Sequence, residues 1–82
     1  MANYLDAIAL VDAELKRATD KFGPFYSAME GQAIVAEEFD EFTQAVRHEG
    51  INRARAEAVQ LAAMAIRFLI DCPENSEQKN EQ

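Results

Sequence analysis

The sequence predicts an all-α fold: a three-helix protomer with an αα-hairpin core that completes a four-helix-type bundle by oligomerisation. Three observations carry this. Apolar residues recur at helical spacing in three stretches, each bounded by capping or helix-breaking residues. The third stretch is apolar on most of its faces: 14 of the 19 residues from Ala54 to Cys72 are apolar, many of them alanine, as in a helix enclosed by close neighbours. The chain is also short, 82 residues, and a monomer near this size buries only roughly 60% of the surface its unfolded chain exposes. With a single cysteine, Cys72, no intramolecular disulfide can compensate, so a second copy is the expected source of burial.

The first helix is expected from about Asn3 to Asp20, because Tyr4, Ile8, Val11, Leu15 and Ala18 fall on one stripe. Lys21-Phe22-Gly23-Pro24-Phe25 ends it, with Gly23 suited to the position after a helix terminus and Pro24 biasing it away from helix. Ser27 followed three residues later by Glu30 reads as a capping box for the second helix. That helix is expected to run to about His48, where Gly50 closes it and His48 sits favourably at the negative end of the dipole. Asn52 is the expected N-cap of the third helix, which continues to Asp71 or Cys72 before Pro73. So short a connection makes the second and third helices antiparallel neighbours. Residues 1–72 then form one all-α domain, and 73–82, with no apolar residue, form an acidic tail expected to be disordered. Cys72, with no His or Asp pattern beside it, is read as a structural thiol.

Charge narrows the partners. Fifteen acidic against eight basic residues give a net charge of −7, which argues against a nucleic acid polymer and against anionic membranes. The longest apolar run, Leu61 to Ile66, is six residues, far short of a membrane span. No basic region precedes an apolar run at the N-terminus, so a cytoplasmic location is expected.

The acidic run Glu37-Glu38-Phe39-Asp40-Glu41 is the informative segment. On a helical wheel Ile34, Val35, Phe39, Phe42, Ala45 and Val46 form the apolar arc. Glu38 falls inside that arc, Glu41 at its margin and Glu37 one step further out. An ionised carboxylate facing a bundle interior costs several kcal/mol unless it is paired or bound to a metal. In the third helix Glu57, Gln60, Met64, Arg67 and Asp71 make the polar stripe, and antiparallel packing brings Glu57 and Gln60 opposite Glu38 and Glu41. Such an all-oxygen set suits Mg²⁺ or Mn²⁺, and through Mg²⁺ a phosphorylated substrate. The competing reading is a solvated acidic face, with Glu38 paired to Arg53 or Arg55 and Arg67 bridging Asp71 within its own helix.

These residues resemble a known family. Glu-Glu-x-x-Glu on one helix, followed after a short connection by Glu-x-x-Asp on the next, is the signature of the MazG-like all-α nucleoside triphosphate pyrophosphohydrolases. Here Glu37-Glu38-Phe39-Asp40-Glu41 is similar to the first element, Glu57 begins the second, and the flanks Lys21 to Phe25 and Ala63 to Leu69 look alike. The resemblance spans about residues 20–72 and departs at Gln60, where the family carries Asp; an amide oxygen can ligate a metal but adds no charge.

The resemblance implies Mg²⁺-dependent cleavage of a nucleoside triphosphate to monophosphate and pyrophosphate. Glu38, Glu41, Glu57 and Gln60 would hold the metal, Glu37 would orient the water, and Lys21 or Arg67 would bind the phosphate tail. It also implies a homodimer or homotetramer, since many relatives have a further helix after the position of Asp71. The alternative it leaves is a catalytically inactive helical oligomer of the same fold that binds a nucleotide or a protein.

Overall fold

The computed structural model describes residues 3–74, so the expectation for the rest of the tail lies outside the described residues. Three helices follow one another: α1 (Tyr4–Lys21), α2 (Ala28–Gln44) and α3 (Ile51–Asp71), with no strand among the described residues. The protein is all-α. No helix among these residues is long and apolar enough to cross a membrane.

The helix ends follow local chemistry. The Asn3 side chain caps α1 by accepting from the Asp6 N–H at 2.9 Å, and the Ser27 hydroxyl caps α2 by accepting from the Glu30 N–H at 3.1 Å. The Glu30 carboxylate reaches back one residue further than a standard capping box and accepts from the Tyr26 N–H. Gly23 does not take a left-handed conformation; α1 ends through Phe22 in extended geometry (φ −121°, ψ 147°). The second helix does not stop near His48 as a regular helix. Its last turn, Ala45–Glu49, widens into a π-helical turn, a distortion that recurs beside functional sites. Gly50 then turns the chain at φ +91°, a conformation open to glycine at little cost. α3 therefore starts at Ile51, and Asn52 lies inside its first turn instead of capping it.

α3 is the middle element, with α1 and α2 both packed on it. α2 and α3 run antiparallel. Gly31 near the start of α2 meets Phe68 near the end of α3, and a Cβ at Gly31 would sit 2.8 Å from both the Phe25 and Phe68 rings. Ala18, Phe25, Ala63 and Met64 form the buried core, backed by Val11, Leu15, Ile34, Val35, Phe68 and Cys72. The interior line of α2 is narrower than the apolar arc of the wheel: Phe39 and Val46 are more than half exposed.

The same holds for α3, which α1 and α2 do not fully enclose. Ile51, Leu69 and Ile70 are exposed, while the buried hydrophobic residues, apart from Phe25 and Met64, are alanines.

Candidate metal centre

Polar side chains along the α2–α3 seam separate into two groups. At the C-terminal end of α3, Arg67 and Asp71 hold the Phe22–Phe25 loop. The Phe25 N–H donates to Asp71 Oδ2 at 2.9 Å, Arg67 Nη2 donates to the Gly23 carbonyl, and the Arg67 guanidinium stacks on the Phe25 ring at 4.6 Å. Arg67 Nη2 also lies 3.9 Å from Asp71 Oδ2, the i, i+4 bridge expected if the acidic face is simply solvated.

Toward the N-terminal end of α3 the arrangement inverts. Glu57 is 2% exposed. One of its oxygens, Oε2, accepts from Arg53 Nη2 at 2.6 Å, but Oε1 is buried with no hydrogen-bond partner. Across the seam Glu38 is half-buried, and its Oε1 is likewise shielded from solvent and unpartnered. Glu41, one turn along α2, is exposed. One carboxylate oxygen from each of Glu38, Glu41 and Glu57 comes within 4.8 Å of the others.

This cluster is electrostatically frustrated. Burial, and then the charges of Glu41, Glu57, Glu37 and Glu14, hold the Glu38 carboxyl above the usual glutamate range. An acceptor buried without a donor costs about 1–3 kcal/mol, and two of the three clustered carboxylates carry such an oxygen. A divalent cation would satisfy all three at once. The donor set is oxygen only, as Mg²⁺ and Mn²⁺ prefer. Adjacent oxygens around an octahedral Mg²⁺ lie about 3 Å apart, so side-chain rotation has to draw these carboxylates inward or water has to complete the shell.

Among the remaining candidates, Glu37 is exposed and stands with Glu38 on one wall of a cleft of about 390 Å³, with Met64 and Arg67 opposite and the Phe22–Phe25 loop at its mouth. Gln60 is half-buried one turn beyond Glu57 on the same stripe. The two proposed phosphate ligands fare differently. Lys21 stacks over the Phe22 ring at 5.4 Å and is not among the residues lining the cleft. Arg67 lines it but is 5% exposed and committed to the loop.

Two residues have larger parts than the sequence assigned. Arg53 pairs with Glu57 and, at 3.5 Å, with Glu49; its i, i+4 spacing to both was the available signal. Glu14 of α1 binds Arg17 through two bonds of 2.9 and 2.6 Å, which holds its carboxyl below the usual range, and its charge also reaches Glu38. No sequence spacing announces that electrostatic influence between distant segments. His48 is exposed in the π-helical turn, and Cys72 is half-buried against the core. No protein family, curated protein or solved structure matches this chain.

Proposed function

We propose that the chain is a divalent-cation-dependent nucleoside triphosphate pyrophosphohydrolase of the MazG-like kind, with Glu38, Glu41 and Glu57 holding Mg²⁺ or Mn²⁺ and Gln60 completing the set. The observation that carries this reading is the pair of buried, unpartnered oxygens, Glu38 Oε1 and Glu57 Oε1, on two of the three carboxylates that cluster with Glu41. A structural acidic face turns its oxygens to water or to a cation of the chain. These two do neither.

A divalent cation bound there supplies neutralising charge to the phosphate oxygens of a triphosphate. The chain's own residues supply the rest. Glu57 and Glu38, each on a helix, would hold such a cation in one place and through it set where the reacting phosphates lie. Glu37, at the rim of the adjoining cleft, accepts a hydrogen bond from the attacking water and aims it at the α-phosphorus. The cleft between α2 and the Phe22–Phe25 loop has room for the nucleoside, and Arg67 acts by holding that loop in place.

The working unit is an oligomer of this chain. A core built largely of alanines gives one protomer little stability, while Phe39 and Leu69 flank an apolar groove of about 650 Å³ between α2 and α3. A second copy laid into this groove completes a four-helix-type bundle, and light scattering reads it as a mass of at least two chains.

The test of function is incubation with each common ribo- and deoxyribonucleoside triphosphate plus Mg²⁺, measuring pyrophosphate. At least one substrate should release it. Gln60→Asp, by adding a charged ligand, should raise turnover. Release from none of them rejects the enzyme and leaves a binding module.

A further inference from the structure

The phosphate-binding side chain is still unassigned, since Lys21 stacks on Phe22 and Arg67 is tied to the loop. A second cleft, of about 280 Å³, opens on the other side of the cluster between α2, the π-helical turn and the start of α3. Asp40, Glu41, Gln44, Glu49, Arg53 and Glu57 line it, so Glu41 and Glu57 belong both to this cleft and to the candidate metal centre. Arg53 is the one cation of that lining. Its side chain is 55% exposed, against 2% for the Glu57 carboxylate it contacts.

We infer that Arg53 is the phosphate-binding residue of the site, held on Glu57 until a cation takes its place and then turned to the polyphosphate that arrives with the cation. This role for Arg53 rests on the triphosphate reading and on the asymmetry of its ion pair with Glu57. Glu57 cannot leave the seam, since it is buried on the middle helix with only side-chain rotation open to it. Arg53 can, because its side chain is more than half exposed and its second contact, Glu49, is an exposed pair at 3.5 Å, of the kind that contributes little. A divalent cation between Glu38, Glu41 and Glu57 neutralises Glu57 and repels the neighbouring guanidinium. A planar fork of donors released beside a bound triphosphate is suited to bidentate contact with phosphate oxygens. The acidic lining would repel free polyphosphate through Asp40, Glu41 and Glu49 and favour its cation complex.

The guanidinium thus opposes the cation and favours the phosphate, and its removal should move the two affinities in opposite directions. The experiment compares the full chain with Arg53→Gln and Arg53→Lys by thermal melting, titrating Mn²⁺ alone and then Mg²⁺ with inorganic tripolyphosphate. In Arg53→Gln the Mn²⁺ needed for the half-maximal shift should fall by about 2–5-fold, the weight of a half-exposed ion pair. The tripolyphosphate needed should rise roughly tenfold or more, the weight of a charge-assisted contact. Arg53→Lys, keeping charge without the fork, should lie between. Equal tripolyphosphate affinity in wild type and Arg53→Gln, or weaker Mn²⁺ binding by Arg53→Gln, overturns the assignment of Arg53 alone. A wild type that answers Mn²⁺ but not tripolyphosphate overturns the triphosphate reading and the phosphate role of Arg53 with it. A wild type that answers neither overturns the metal centre as well.

Discussion

The two ends of the polar stripe on α3 carry the same residue types and behave in opposite ways. At the C-terminal end Asp71 and Arg67 are satisfied: the carboxylate accepts a backbone N–H, and the guanidinium donates to a carbonyl and covers a ring. At the other end Glu57 is equally inward, yet one of its oxygens has nothing to accept from, and Glu38 opposite repeats the deficit. Inward-facing charge by itself therefore does not mark a functional site. Charge left unsatisfied is the sharper signal, because it is an unfavourable arrangement that a bound ligand would relieve.

Substitutions at the two ends should separate cleanly. The largest effect on stability belongs to Arg67→Ala, which removes the bond to Gly23 and the cover on Phe25. It should destabilise the fold by about 2–3 kcal/mol in urea melts while leaving the Mn²⁺-induced shift in place. If that shift vanished although the protein still folded, Arg67 would belong to the metal-binding end and the division drawn along α3 would be wrong. Asp71→Ala comes next, at about 1–2 kcal/mol, through the loss of the Phe25 tether. Limited proteolysis should then cut at the Phe22–Phe25 loop faster than in wild type; unchanged cutting would mean that Asp71 does not hold the loop.

A smaller effect is expected from pH, and its sign is opposite to the usual carboxylate. Burial and neighbouring charge raise the Glu38 carboxyl above its ordinary value. The folded protein therefore holds that proton more tightly than the unfolded chain does. This contribution to stability is complete below the ordinary glutamate pKa and is lost as pH rises through the raised value. Glu14, held low by Arg17, acts in the opposite sense and below that window. Cation-free protein should thus melt slightly higher near about pH 5 than at neutrality. Saturating Mn²⁺ should reverse the order, because ligands bind metal ionised. Melting curves at both pH values, with and without Mn²⁺, read this; a slope unchanged in Glu38→Gln would assign it elsewhere.

Much of this was legible in the sequence. The number and order of the helices followed from periodicity, and the Ser27 cap from its spacing to Glu30. Convergence of Glu38, Glu41 and Glu57 followed from helical geometry plus a short connection. Boundaries near Gly50 did not follow, since a π-helical turn has no distinct composition and a glycine at positive φ can start a helix as readily as end one. The width of the apolar arc was overread for a related reason. A wheel shows which residues share a face but not how much of that face the neighbouring helices cover, and Phe39 and Val46 stay more than half exposed. Lys21 and Arg67 were interchangeable as cations near the loop until three-dimensional contacts gave one to Phe22 and the other to Gly23.

The central claim is that the buried oxygens of Glu38 and Glu57 are kept for a divalent cation. Thermal melting of wild type and Glu38→Gln, each with and without millimolar Mn²⁺ or Mg²⁺, tests it most directly. Without cation the variant should melt higher than wild type, because an unpartnered carboxylate has been replaced by a neutral amide; with cation only wild type should rise, and the order should invert. A wild type indifferent to either ion, or a variant that rises as much as wild type, would contradict the account.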